Sequence, residues 1–190
     1  EKLPFKFLKP ASLTIVFAWK CWNLAASAPA SDAKNIKSLA DESEAVVIED
    51  AAHALGATYD NGNKVGCCEN SLMTIFSFHP VKAIAAGEGG MITTNDEVIY
   101  RKLLKLRSHG INKIDDPLLL PEAYDDSERN PWYYEMQELG FHYRITDIQS
   151  SLATSQLNKI DDFIARRRTL VVKYDKAFKG LKNCRPAQVM

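Results

Sequence analysis

Lys82 lies within the stretch SFHPVKAIAAGEGG, Ser77 to Gly90, with no charge at the two positions before it or the four after it. Glu88, beyond a glycine, is the nearest acid in the chain. A lysine ordinarily keeps its ammonium in water or pairs it with a carboxylate. One held partly out of water gives up its proton more readily and becomes an amine nucleophile toward a carbonyl. Two further groups stand at comparable places. Asp50 closes the apolar run AVVIED, and Ser77 sits near the end of LMTIFSF. Ligands of parallel α/β sheets bind beyond the carboxyl ends of the strands, so an acid, a hydroxyl and an amine can meet at one sheet edge. That trio suits pyridoxal 5'-phosphate. The cofactor offers a carbonyl to the amine. It needs a carboxylate at its pyridine nitrogen to remain an electron sink, and hydroxyl or backbone donors at its phosphate. On this reading Lys82 escapes permanent ion pairing because it must form a Schiff base.

Each residue also has an ordinary reading. A loop lysine is most often a solvated charge. Asp50 can cap a turn, Ser77 can be a packed hydroxyl, and His53 can be a satisfied histidine near a helix start. Cys67 and Cys68 read as small buried residues. GEGG is no nucleotide loop, because it lacks GK[ST] and precedes a strand instead of following one. A short motif remains a hypothesis until its structural context is known.

The elements that must position these groups alternate along the chain. SDAKNIKSLADES, with Ser31 as N-cap and apolar Ile36, Leu39 and Ala40, predicts a helix. Residues 45–50 form a short continuous apolar run that suits a strand buried on both faces. Asn61-Gly62 is a hairpin turn signal. Residues 72–78 and 90–94 are further strands. Asn95 is placed to cap a helix through Val98, Leu103, Leu104 and Leu106, closed by Gly110. Residues 111–140 read as an irregular excursion rich in prolines and acids. Thr146 with Gln149 makes a capping box for a helix ending near Ile160. A second helix, residues 161–178, carries Phe163, Leu170, Val171, Tyr174 and Phe178 and stops at Gly180. Strands mixed with helices predict an α/β fold.

Composition agrees with a globular protein of one domain. The 190 residues are 46% hydrophobic and 25% charged, enough to bury a sizeable core. Lys plus Arg is 24 and Asp plus Glu is 24, which gives no footing for bulk nucleic-acid binding. The four cysteines, Cys21, Cys67, Cys68 and Cys184, contain no CxxC. Reduced thiols in a cytosol fit better than a zinc site or a disulfide framework, and no metal site is expected. The first residues, EKLPFKFLKPASLTIVFAWKCWNLAASAPAS, have the outline of a secretory signal. Lys20 interrupts it, however, and the apolar run 11–19 is too short to span a bilayer.

Several phrases in order, IEDAAHALGATY, VG, FSFHPVKAIAAGEGGMITTND, LRSHGI, LGFHYRITDIQSSLATSQL and IARRR, resemble the DegT/DnrJ/StrS family of nucleotide-sugar aminotransferases. WYYEMQELGFHYRITDIQ and SFHPVK bring the chain nearest to the pseudaminic acid branch of that family. Its members transaminate UDP-4-keto-6-deoxy-L-AltNAc to the 4-amino sugar. The resemblance runs from about Lys34 to about Phe178.

The resemblance implies a role for each matched position. Lys82, the lysine of SFHxxK, carries the Schiff base. Asp50, the aspartate of EDxAHA, meets the pyridine nitrogen. His53 lies against the cofactor beside its ring hydroxyl, where the family has histidine or glutamine. Ser77 donates to the phosphate. In the family an asparagine of GxNYR reaches the phosphate from the other subunit of a dimer. His142 stands there in this chain, and an imidazole can also donate, although it is bulkier. The implied fold is the central part of the large PLP-binding domain of a fold type I, aspartate aminotransferase-like transferase, with a mostly parallel sheet flanked by helices.

On this reading residues 1–33 are an unmatched segment, truncated or aberrant. Residues 34–180 are a partial large domain, and residues 181–190 are a tail, with the small C-terminal domain of the family missing. The implied partners are a nucleotide sugar, glutamate and a second copy of the chain, in the cytoplasm, with neither nucleic acid nor membrane. The implied chemistry is ping-pong amino transfer from glutamate to the sugar's 4-keto group. A related branch uses the fold for dehydration with histidine in place of the lysine, and Lys82 argues against it. A non-catalytic remnant or binding protein of the same fold is the third reading.

Overall fold

The computed structural model describes the backbone of Ile15–Phe17 and residues 33–112, 117–119 and 133–181. The chain divides into two compact units. One comprises Glu1–Asn95 with Asp147–Met190, and the other Asp96–Thr146.

The first unit holds a four-stranded sheet in the order β1 (Ile15–Phe17), β2 (Val46–Asp50), β3 (Met73–Ser77), β4 (Gly90–Thr93). The first three strands are parallel, with Val16 beside Val47 and Glu49 beside Thr74. β4 returns antiparallel to β3, with Ile92 beside Ile75. The sheet is therefore mostly parallel, as expected. The β-branched runs make β2 and β3, and both strands lie within the spans read from sequence. β1 is an element that the sequence reading does not contain. The close return of β4 depends on Gly90, because a Cβ there would meet the Phe76 carbonyl oxygen at 2.7 Å.

Val47, Phe76, Phe78, Ile84 and Ala86 are buried about this sheet. Helix α1 (Ala33–Glu42) contributes buried Ala40 and hands the chain to β2 through Ala45 N–H, which donates to Ala40 O at 2.7 Å. Leu39, expected on its apolar face, is 63% exposed. Ser31, expected as its N-cap, lies outside the described residues. Asn61-Gly62 turns the chain as expected. Tyr59 N–H donates to Asn63 O, Gly62 N–H donates to Tyr59 O, and Thr58 bridges Lys64.

Two helices complete this unit, α3 (Asp147–Leu157) and α4 (Ile160–Phe178). α3 ends earlier than expected. Lys159 N–H donates to Gln156 O, an i→i−3 bond that tightens the last turn and breaks the helical path before Ile160. α4 packs on the loop after β2 at Gly56 (φ +86), where an added Cβ would come within 2.6 Å of Ile164 Cδ1. Gly180, at φ +90, follows the end of α4 as expected. Cys67 and Cys68 are free thiols.

The second unit contains α2 (Glu97–Leu106). Its N-cap is Asp96, whose carboxylate accepts from Ile99 N–H at 2.9 Å, and not Asn95 as the sequence suggested. Asn95 instead donates its amide to Cys67 O. Both residue types cap well, and the phase of the helix selects the second. Gly110 N–H closes the C-terminal end on Lys105 O. Beyond it the chain is irregular where described, with Ile111 bridging Met136. Asn112, 1% exposed, holds the excursion together by exchanging bonds with Glu135 and donating to Pro117 O.

Candidate active site

β2 and β3 are parallel neighbours and so end at the same edge of the sheet. Asp50 is in register with Ile75, and Ser77 follows two residues later. With side chains alternating along a strand, Asp50, Ile75 and Ser77 share one face, and Glu49 and Thr74 take the other.

The loops that leave these two strands are short and hydrogen-bonded. After β2, Ala51 N–H donates to Ile75 O at 2.8 Å and Ala54 N–H to Ala51 O at 2.9 Å. One Asp50 oxygen accepts from Ala52 N–H at 3.0 Å. This turn presents His53 three residues beyond Asp50. After β3, Phe78 N–H donates to Gly89 O and Ala86 N–H to Phe78 O, each at 2.9 Å, which closes a compact loop. Lys82 N–H donates to His79 O within it, and the Ser77 hydroxyl oxygen accepts from His79 N–H at 3.3 Å.

The two loops bring two sequence candidates into contact. Lys82 Nζ lies 2.6 Å from His53 Nε2. At that separation the two nitrogens share a hydrogen bond with a single proton between them, so one of them offers a lone pair. Glu88 does not pair with Lys82 and stands 4.0 Å from His79 instead. Among the described residues Lys82 has no carboxylate partner. Lys82 is half-buried, His53 and Asp50 are exposed, and Ser77 is half-buried. Asp50 does cap a turn, as its ordinary reading held, but with one oxygen only. His142 belongs to the other unit. There it bridges Ser108, and its ring meets the His109 ring edge-on at 5.5 Å between centroids.

The opposite face of the strands carries a polar cluster that sequence reading missed. Glu49 accepts from the Tyr59 hydroxyl, from Ser71 Oγ at 2.7 Å and from Thr74 Oγ1 at 2.9 Å. Thr74 is fully buried. Burial, followed by the hydrogen bond to Glu49 and its charge, pushes the Tyr59 phenol well above its ordinary range. Glu49 thus ties the last turn of β2 to β3 and to the 59–71 loop, one residue from Asp50. An acid inside an apolar strand, IED, was the available signal.

Arg167 was missed as well. From α4 it donates Nη1 to Ala83 O and Nη2 to Lys82 O, both at 3.3 Å. The Lys82 loop and α4, through Phe163, Arg166 and Arg167, border an open cleft of about 310 Å³.

The model of the DegT/DnrJ/EryC1/StrS aminotransferase family matches residues 27–190. The chain belongs to that family. Within it, the chain is 38% identical over 143 residues to the UDP-4-amino-4,6-dideoxy-N-acetyl-beta-L-altrosamine transaminase of Campylobacter jejuni serotype O:23/36, covering 75% of this chain and 33% of that protein. Its fold superposes on Helicobacter pylori PseC, an aminotransferase involved in the biosynthesis of pseudoaminic acid, with a TM-score of 0.69 at 29% identity. That match covers 88% of this chain and 38% of the other. Spr1654 of Streptococcus pneumoniae, solved in its PLP-form, aligns with a TM-score of 0.56 at 31% identity over 71% of this chain and 31% of that one. The α/β fold of this DegT/DnrJ/EryC1/StrS family member is thus part of the fold type I aminotransferase domain. The chain spans about a third of the length of the curated relatives it matches. The family match begins before residue 34 and runs through residues 181–190.

Proposed function

We propose that the protein transfers an amino group from glutamate to the 4-keto group of a UDP-linked 4-keto-6-deoxy sugar with pyridoxal 5'-phosphate, as a cytoplasmic homodimer. One observation carries the reading. The Lys82 amine is held 2.6 Å from an imidazole and away from any described carboxylate, beside the strand ends that bear Asp50 and Ser77. The Campylobacter jejuni and Helicobacter pylori relatives support the sugar class. The PLP-form of Spr1654 supports the cofactor.

The donor set fits that cofactor. It comprises an amine hydrogen-bonded to an imidazole and, among the described residues, a carboxylate with one oxygen uncommitted and a hydroxyl with its proton left to donate. When bound, pyridoxal phosphate supplies a carbonyl for amines and a ring that accepts electrons. Lys82 would hold the cofactor through its amine, and the same amine, when free, would serve as general base and acid at the reacting carbon. His53 holds the Lys82 nitrogen in place. Asp50 would keep a proton on the pyridine nitrogen, and Ser77 would donate to the phosphate. His142 is assigned to the phosphate of the partner's cofactor, where an imidazole N–H replaces the amide of the family pattern.

The test is to incubate the protein with pyridoxal phosphate, reduce with borohydride and digest. The expected result is a pyridoxyl mass on the peptide containing Lys82. A label confined to another lysine overturns the assignment.

A further inference from the structure

Lys82 sits in a loop whose neighbouring carbonyls point at one side chain. Arg167 is on α4, 85 residues from Lys82, and its two terminal nitrogens donate to Ala83 O and Lys82 O. A carbonyl partly withdrawn from water gains from a protein donor. The planar guanidinium presents two parallel N–H groups at a fixed spacing, which suits a pair of adjacent carbonyls. The loop's internal bonds run from Lys82 N–H to His79 O and from Ala86 N–H to Phe78 O, and they leave Lys82 O and Ala83 O to be met from outside. α4 itself is set against the neighbouring loop at Gly56, so the guanidinium hangs from a packed element.

We infer that Arg167 is a positioning residue for Lys82: by bridging the carbonyls of Lys82 and Ala83 it holds the 78–89 loop so that the Lys82 amine stays against His53. What Lys82 then does rests on the function proposed above, but the positioning itself does not. Arg166, the adjacent cation, meets the cleft and makes no such bridge among the described residues. It serves as the matched control.

Two measurements on Arg167→Ala, Arg167→Lys and Arg166→Ala decide it. The first needs no cofactor. Backbone amide hydrogen exchange in the peptide spanning residues 78–89 should speed up by about a hundredfold in Arg167→Ala, as expected when two charge-assisted bonds are lost. The amides of Ala51 and Leu72 should stay as in the parent. Arg167→Lys can reach one carbonyl and should fall between the two, and Arg166→Ala should match the parent. Unchanged exchange in the 78–89 loop of Arg167→Ala overturns the inference. If Arg167→Ala does not fold, parent-like loop exchange in Arg167→Lys does so.

The second measurement follows the rate of borohydride-trapped labelling of Lys82 against pyridoxal phosphate concentration. Misplacement of the amine should lower the rate at saturation about tenfold and move the half-saturating concentration less than twofold. A merely structural role would instead lower the thermal midpoint without this split. Should the parent protein itself fail to label at Lys82, the functional reading falls. Hydrogen exchange in the 78–89 loop still decides the role of Arg167 in that case.

Discussion

His53 Nε2 and Lys82 Nζ lie 2.6 Å apart although 29 residues separate them in the chain. Neither side chain is on a strand. Each is delivered by the turn that leaves one of two parallel neighbours, β2 and β3, at the same edge. The contact therefore depends on the β2–β3 pairing as much as on the two residues.

Replacing the imidazole should be felt at the amine. His53→Ala removes the partner that holds the Lys82 nitrogen in place, and the rate of Lys82 labelling by pyridoxal phosphate should fall about fivefold, the worth of one ordinary hydrogen bond. His53→Gln keeps a polar atom at the same reach and should lose less. Equal labelling in all three proteins would show that the contact has no bearing on the amine's reactivity.

Asp50→Asn keeps the shape and the Ala52 turn bond while removing the charge. Loss of a charge-assisted contact should weaken cofactor binding by about 1.5–3 kcal/mol. Turnover should fall further, because the ring then accepts electrons less readily. Cofactor titration and glutamate-dependent formation of 2-oxoglutarate measure the two effects. Near-normal turnover would remove Asp50 from the proposed role.

The Glu49 cluster makes a prediction about alkaline pH. The Tyr59 phenol has its pKa raised in the folded protein, by burial first and by Glu49 next. The folded state therefore holds a proton that the unfolded chain releases near pH 10. This contribution is fully present below about pH 10 and is lost as the pH climbs above it. Tyr59→Phe should cost about 1–3 kcal/mol at neutral pH, because Glu49 loses one of its three donors. The variant should also show a shallower fall in stability between about pH 10 and 11. Urea denaturation at pH 7, 9, 10 and 11 reads both. A slope identical to that of the parent would mean that Tyr59 does not titrate against folding.

The parts legible in sequence are those set by local pattern. β2 and β3 announce themselves as apolar, β-branched runs, and Asp50, Ser77 and Lys82 follow from reading where those runs stop. The direction of β4 was not legible, because period-two patterning is the same for parallel and antiparallel neighbours. β1 escaped because three residues carry no periodicity of their own. Adjacent Asn95 and Asp96 cap equally well as residue types, and only helix phase separates them. The break between α3 and α4 was read near Ile160, and the two turn residues Asn158 and Lys159 place it slightly earlier. Arg167 was visible only as a letter in IARRR, since its role depends on which loop α4 packs against. His53 entered by resemblance, and its contact with Lys82 had to come from the fold.

The bridge from Arg167 to the Lys82 loop has a meaning for the order in which the protein is made. At about 5–20 residues per second of synthesis, the 85 residues between the two positions take roughly 4–17 s to emerge. β2, β3 and the two loops that carry Asp50, His53, Ser77 and Lys82 are all translated before the guanidinium that secures them exists. The growing chain thus carries the amine on a loop without its outer clasp, and Lys82 reaches its final seat only when α4 has left the ribosome and settled on Gly56.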